Sequence, residues 1–305
     1  MPFIQSPLNY TGGKAKLLSQ ILPLFPKEID TFVDLFCGGC NVGINVRANS
    51  VIYNDLNREL IYLYNTLKNL DKKAIFDWVY QIIDKYDLSL VSLHGYDYYG
   101  CDSSAGLGPY NKDKFMKLRD DFNTKLNEDY YYYVVLYVLI VYAFNNQIRF
   151  NANGDFNLPV GKRDFNSNMA AKLSTFVDKL HEQDCRFICK DFRDFDIESL
   201  SPNDFVYVDP PYLITCATYN EQGGWNAQTE KELLQFLDNL HKSGIKFALS
   251  NVLRSKGKEN SILLQWLSNN IDKYKVIPLR YTYANSSYHT KDKTDSSEEV
   301  LIINY

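Results

Sequence analysis

Histidine is scarce in this 305-residue chain, and its four copies (His94, His181, His241, His289) show no spacing that suits a metal ion. An excess of basic charge is also missing. The formal net charge of −4 argues against a protein that coats nucleic acid indiscriminately, so any contact with a polyanion has to come from local patches. No apolar run reaches the roughly 18 to 20 residues that a membrane-spanning helix needs. The most apolar one, Tyr130-Tyr-Tyr-Tyr-Val-Val-Leu-Tyr-Val-Leu-Ile-Val-Tyr-Ala-Phe144, is expected to form a buried helix with its tyrosines in core packing. The chain does not open on a basic stretch followed by an apolar core. No secretory signal is therefore expected, and the location expected is cytoplasmic, with no membrane partner. Six cysteines include Cys37-x-x-Cys40 and Cys185-x-x-x-Cys189, a pattern that invites a zinc reading. Cys37 and Cys40 sit in a Gly-rich turn where small side chains suit close packing, so neither a metal site nor disulfides are expected.

What is present begins with a 45% hydrophobic composition, enough to bury the core of one large or two modest domains. Its most informative stretch is Asp209-Pro-Pro-Tyr212, which follows the apolar run Phe205-Val-Tyr-Val208. A carboxylate, a rigid backbone and an aromatic ring are thereby set at a strand's end. That combination suits chemistry on an exocyclic amine, whose nitrogen is a poor nucleophile because its lone pair is delocalised into the base. Asp209 can accept one amine hydrogen and the Pro210 carbonyl another, pulling the nitrogen towards tetrahedral geometry while Tyr212 stacks on the base. Pro211 prolongs the rigid turn. The plainer reading is a turn whose prolines end a strand by forbidding further ladder pairing.

A second constellation lies upstream. Thr31-Phe-Val-Asp-Leu-Phe-Cys-Gly-Gly-Cys-Asn-Val-Gly43 reads as a buried strand, a Gly-rich turn and then a helix, and such turns let a nucleotide-like ligand approach the backbone closely. About 20 residues past Asp34, Val51-Ile-Tyr-Asn-Asp55 ends another strand in a carboxylate, the place from which ribose hydroxyls are held.

These motifs, in this order, resemble the Dam-type (alpha-class) DNA adenine-N6 methyltransferases, and the resemblance covers most of the chain. It implies S-adenosylmethionine as methyl donor. Ser6-Pro-Leu-Asn-Tyr-Thr-Gly-Gly-Lys-Ala-Lys-Leu-Leu18 is similar to the family's N-terminal cofactor segment, with Tyr10 and Lys14 lining the pocket. Asp34-Leu-Phe-Cys-Gly-Gly39 resembles the cofactor loop, which brings in Asp34, Phe36 and Gly38. Asp55 matches the ribose-binding acid, Cys189-Lys-Asp-Phe192 the segment reaching the cofactor's adenine through Asp191, and Asp209 adjoins the cofactor as well. Phe144-Asn-Asn-Gln-Ile-Arg-Phe-Asn151 and Gly154-Asp-Phe-Asn-Leu-Pro-Val-Gly161 match the DNA-contacting hairpin. Asn145, Gln147, Arg149, Asn151, Lys162 and Arg163 are its candidate DNA-binding residues. Asn285-Ser-Ser287 and Glu298-Glu-Val-Leu301 match a C-terminal hairpin. The chain departs from the pattern at Cys40, where many members carry glycine, and at Tyr10, where several carry tryptophan. Neither change removes a group the chemistry needs. No cysteine follows a proline, which fits amine methylation, a reaction with no covalent intermediate.

The fold expected is α/β: a doubly wound, Rossmann-like S-adenosylmethionine methyltransferase sheet with a C-terminal β-hairpin and an inserted, mostly helical target-recognition domain. Strands are expected at Phe187-Ile-Cys189, Phe205–Val208 and Lys246–Ser250, with Tyr274–Tyr283 and Val300–Tyr305 as the terminal pair. The catalytic domain is expected to be discontinuous, at 1–58 and 166–305. Residues 59–165 then form the insertion, with its β-hairpin near 145–160. The partners implied are double-stranded DNA and a cognate restriction endonuclease. Lys242 to Lys258 holds five basic and no acidic residues, and Arg149, Lys162, Arg163 and Lys172 make a second sparse basic group. Cytosine-N4 or another amine stays open as substrate. A nicotinamide-dinucleotide oxidoreductase and a silent DNA-binding protein stay open as other classes, though each leaves one of the two constellations unexplained.

Overall fold

A computed structural model describes residues 2–10, 12–124, 127–215, 224–280 and 297–305. Along the chain run α1 (Leu18–Ile21), β1 (Thr31–Asp34), β2 (Ser50–Asn54), α2 (Arg58–Asn69), α3 (Lys72–Lys85), α4 (Val91–His94), α5 (Gly108–Asn123), α6 (Tyr130–Tyr142) and α7 (Ser167–Glu182). They are followed by β3 (Cys185–Ile188), β4 (Phe205–Val208), α8 (Ala227–Lys242), β5 (Lys246–Ser255), β6 (Lys258–Glu259), α9 (Ser261–Asn269), β7 (Lys275–Leu279) and β8 (Glu298–Ile303). Side chains of Asn57, Asp71, Asp129, Asn166, Asn226 and Asn260 accept backbone N–H groups at the starts of α2, α3, α6, α7, α8 and α9. Asparagine and aspartate are favoured there because each satisfies donors that the helix itself cannot.

The chain divides into two compact units. One, a helical unit, comprises Met1–Gly13, Gly38–Ile44 and Asn57–Phe187; the other, a sheet unit, comprises Lys14–Cys37, Asn45–Leu56 and Ile188–Tyr305.

The sheet is mixed and mostly parallel in its centre, with strand order β3-β2-β1-β4-β5-β8-β7 and β6 paired to β5. β1 lies parallel to β2 and to β4, and β4 parallel to β5, while β8 runs antiparallel to both β5 and β7. All four residues of β4 are buried, as a strand covered on both faces requires. At the β3 edge the Ile188 carbonyl accepts the Asp55 amide at 3.3 Å. Val33, Val206, Val208 and Leu249 from the strands join Leu233, Leu237 and Leu240 of α8 and Leu263 of α9 in one core. Strand order reverses between β1 and β4, whose carboxyl ends stand side by side, with Asp34 paired to Tyr207. Open α/β sheets bind their ligands beyond the carboxyl ends of strands at such a reversal.

The helical unit is organised around α6, which packs on α2, α3 and α5. Every residue of α6 from Tyr132 to Tyr142 is buried, as a helix apolar all round must be. Phe144, the last residue of the apolar run, lies past the helix and is exposed.

Three sequence expectations are corrected. No α-helix follows the Gly-rich turn; a single 3-10 turn at Gly43–Asn45 takes its place, because β2 begins at Ser50 and the return to the sheet is completed within residues 40–49. The hairpin near 145–160 contains no continuous strands, only the isolated bridges Ala143 to Val160 and Phe150 to Phe156. Left-handed backbone at Asn145 and Asn146 breaks the ladder between them. β5 runs on to Ser255 beyond the expected Ser250, because β8 pairs alongside it as far as Arg254. The terminal pair forms as β7 and β8; Asn285-Ser-Ser287 falls outside the described residues. No helix among the described residues is long and apolar enough to cross a membrane.

Candidate active site

In the sheet unit the chain leaves β4 at Val208 and enters Asp209, partly exposed, with Pro210 buried and Pro211 exposed. The prolines stop the ladder and stiffen the exit, so Asp209 is held at the strand's end. Its carboxylate is not alone. Lys14 Nζ stands 2.9 Å from Asp209 Oδ1 and 3.6 Å from Glu299 Oε1, with the lysine side chain 3% exposed and the glutamate 8%. The Tyr212 hydroxyl donates to Asp209 Oδ1 at 2.9 Å and faces Glu299 Oε1 at 3.3 Å. Lys14 Nζ also sits 4.9 Å from the centre of the Tyr212 ring, within cation–π reach. Two carboxylates, one ammonium and one phenol thus share a single cluster drawn from both ends of the sequence and from the β4 exit.

Its electrostatics follow from burial. Removal from water pushes the Glu299 carboxyl above its ordinary range; Lys14 opposes this and Asp209 adds to it. Burial likewise carries the Tyr212 phenol well upward, with Asp209 and Glu299 reinforcing the effect, so it stays a neutral hydroxyl. Beneath, the Tyr207 phenol is raised by burial first and then by Asp209, and its hydroxyl lies 2.8 Å from that of Ser250.

The other expected cofactor residues of this unit occupy neighbouring strand ends. Asp34, 2% exposed, closes β1, and Asp55 follows β2 directly. Phe36 lies 5.7 Å from both Phe192 and Trp225, and those two rings are 5.9 Å apart. Asp191 caps a 3-10 turn through the Arg193 amide, and its carboxylate is paired with the Arg193 guanidinium at 2.6 Å. That hydrogen bond holds the Asp191 carboxyl below the usual range.

Sequence reasoning missed several residues here. Glu299 was read only as part of a hairpin motif. Glu230, fully buried in the first turn of α8, accepts from Trp225 Nε1 at 2.5 Å, Asn260 Nδ2 at 2.8 Å and Asn251 Nδ2 at 3.3 Å. Asn54 donates to the Leu35 and Lys190 carbonyls and accepts the Lys190 amide, tying three strand ends together. Only Asn54, a polar residue closing the apolar run Val51-Ile-Tyr53, carried a signal in the sequence; Glu230 and Glu299 each lie beside other polar residues.

The helical unit carries the remaining candidates. Gly38 has φ +44°, and a Cβ there would come within 2.9 Å of the Tyr10 ring, so the turn lies flush against that ring. The Tyr64 hydroxyl holds the Gly38 carbonyl at 2.9 Å. Asn145 is exposed at φ +56°, and its neighbour Asn146 is buried, bonding to the Val141 carbonyl and accepting from Asn9 at 3.2 Å. Pinning Asn146 turns Asn145 outward. Gln147 is half-buried. Arg149 is exposed, but its Nε donates to Asn157 Oδ1 at 2.8 Å and its Nη2 to the Asn157 carbonyl at 3.2 Å, bracing the hairpin. Asn151 Oδ1 accepts the amides of Asn153 and Asp155, which makes it the residue that shapes the tip. Lys162 and Arg163 are exposed beside Gly161, where a Cβ would collide with the Ala143 carbonyl. In the basic stretch from 242 to 258, Arg254 is committed to Glu259 and Glu298, each at 2.9 Å.

Residues 10–295 match the family model of D12 class N6 adenine-specific DNA methyltransferases. The chain is 42% identical to the Type II methyltransferase M.FokI of Planomicrobium okeanokoites and 42% identical to the modification methylase StsI of Streptococcus sanguinis. Each match covers 99% of this chain and 43% of the relative, so the chain spans less than half the length of these two. It is also 25% identical to a DNA adenine methylase of Salmonella typhi, over 94% of this chain and 92% of that protein. With a family model matching residues 10–295, the chain belongs to the D12 class of N6 adenine-specific DNA methyltransferases.

Proposed function

We propose that the chain methylates the N6 amine of an adenine flipped out of a short duplex DNA site, with S-adenosylmethionine as donor. The observation that carries this reading is the carboxylate of Asp209, fixed at the exit of β4 by Lys14 and Tyr212 beside a strand-order reversal.

The residues present suit that cofactor. Buried Asp34, acidic Asp55 and the Phe36–Phe192–Trp225 rings offer the acceptors and apolar faces that a nucleoside with a cationic sulfur calls for. Tyr10, Lys14, Asp34, Phe36, Gly38, Asp55, Asp191 and Asp209 would hold it. When bound, it supplies an electrophilic methyl group. Everything else falls to the chain. Asp209 and the Pro210 carbonyl accept the two amine hydrogens, and Tyr212 offers its ring to the base that has lost its stacking neighbours. Flipping costs a few kcal/mol, which those contacts have to offset.

Residues 59–165 serve in this reading as the target-recognition insertion. Asn145, Gln147, Arg149, Lys162 and Arg163 face the duplex, and Asn151 acts by shaping the tip that presents them. Double-stranded DNA is the partner, and a cognate restriction endonuclease is the enzyme whose cutting the mark would block.

The test is methyl incorporation from isotopically labelled S-adenosylmethionine into duplex DNA, with sequencing of the modified adenines. Wild type labels adenine N6 within one short motif, and Asp209→Ala abolishes labelling. A purified, folded Asp209→Ala protein with full activity overturns the reading.

A further inference from the structure

Glu299 is the one member of the Asp209 cluster to which no role has been given. It occupies β8 among the buried residues Val300, Leu301, Ile302 and Ile303, while its neighbour Glu298 is exposed and paired with Arg254. A carboxylate kept inside a strand is costly unless it is used, since desolvation is worth several kcal/mol per ion. Its oxygen lies 3.3 Å from the Tyr212 hydroxyl, which lies 2.9 Å from Asp209. The Tyr212 hydroxyl thus stands within hydrogen-bond reach of both carboxylates.

We propose that Glu299 is the destination of the proton shed by the methylated amine, received from Asp209 through the Tyr212 hydroxyl. The proposal rests on the reading of Asp209 as the amine acceptor. In the reaction N6 uses its lone pair to bond the methyl carbon, and the pair of the broken C–S bond stays on sulfur. N6 then carries a positive charge and one hydrogen too many. Asp209 takes that proton, passes it to the Tyr212 oxygen, and the hydrogen already on Tyr212 moves to Glu299. One proton has moved from N6 to Glu299, no electron has been transferred, and Asp209 is again an anionic acceptor. Lys14 stays charged and holds both carboxylates throughout. Among the described residues, Asp209, Lys14, Tyr212 and the more distant Tyr207 are the titratable groups facing Glu299. Burial raises the proton affinity of Glu299, which suits a terminal acceptor.

The experiment compares wild type, Glu299→Gln, Tyr212→Phe and the double variant in single-turnover methyl transfer across pH. Dissociation constants for S-adenosylmethionine and DNA are measured alongside, as are carboxyl carbon NMR titrations of the protein alone. Glu299→Gln should slow transfer roughly 100-fold, the lower range for positioned proton transfer, with both dissociation constants within about twofold of wild type. Tyr212→Phe should do the same, and the double variant should be no slower than either single one. The NMR titration should show a carboxyl above the ordinary glutamate range that is missing from Glu299→Gln. Wild-type transfer by Glu299→Gln, or losses that multiply in the double variant, overturns the relay; if Glu299→Gln fails to fold, Tyr212→Phe carries the same test. Asp209→Ala separates the two levels, since its activity would sink the parent reading, whereas an inactive Asp209→Ala beside a fully active Glu299→Gln sinks the relay alone.

Discussion

Replacing Lys14 by methionine keeps most of the stem and removes a cation shared by Asp209 and Glu299. At an effective dielectric of about 20, contacts of 2.9 and 3.6 Å correspond to roughly 6 and 5 kcal/mol of attraction. Against this stands the cost of having taken the ammonium out of water, several kcal/mol at 3% exposure, which the variant no longer bears. The net loss expected is about 3 to 5 kcal/mol, the range for removing one partner of a buried pair. The loss should also depend on pH. The folded-state pKa of Glu299 is already raised, so its ionisation weakens the fold as pH rises from the ordinary glutamate range through the raised value. Without Lys14 that value rises further. The deficit of Lys14→Met against wild type should therefore be smaller in acid, where Glu299 is protonated and the Asp209 contact remains, and grow as pH increases through this window. Urea unfolding of both proteins at a series of pH values measures it. A deficit below about 1 kcal/mol, or one that stays constant with pH, would refute the charge-sharing account.

Other expectations follow from contacts elsewhere. Arg149→Ala, tested on cognate and singly substituted duplexes at two salt concentrations, should lose about 1 to 3 kcal/mol at one base position; a uniform loss assigns the residue to phosphate instead. Asn157→Ala, which frees the Arg149 brace, should weaken the same discrimination without touching DNA itself. Glu230→Gln sets an amide NH2 against either the Trp225 donor on Oε2 or the Asn251 and Asn260 donors on Oε1, and should cost about 1 to 3 kcal/mol in unfolding experiments, with an unchanged midpoint counting against the network. Gly38→Ala forces a side chain into left-handed backbone, about 1 to 2 kcal/mol, and adds a clash with the Tyr10 ring. That added part should vanish in a Tyr10→Ala background, and equal losses in both backgrounds would dismiss the contact.

The strands proposed to carry the site were readable because each is a short apolar run ending in a carboxylate, as at Asp34, Asp55 and Asp209. The buried helix α6 was readable from composition. Two features defeated pattern reading for different reasons. The turn after β1 has the glycines of a helix-starting loop, but the distance to Ser50 leaves no length for the helix, and only the position of β2 reveals that. The hairpin after α6 shows alternation on both sides, yet paired left-handed asparagines interrupt its ladder, a backbone state that composition does not announce. Within the cluster, Asp209 and Tyr212 were visible as a motif. Glu299 was not, because one acid in an apolar strand acquires meaning only when the strand is placed beside its partner.

β8 is inserted between β5 and β7, so the chain's last strand lies inside the sheet and not at its border. Pairings between segments so far apart in sequence form slowly, since the loops they close must be ordered first. Until β8 docks, β5 offers an unpaired rim of N–H and C=O groups, the kind of surface on which copies of a chain associate. The same event delivers Glu299 to Lys14. Covering the β5 rim and completing the Asp209 cluster are thus one event, and a chain without β8 would leave the rim open and the cluster incomplete.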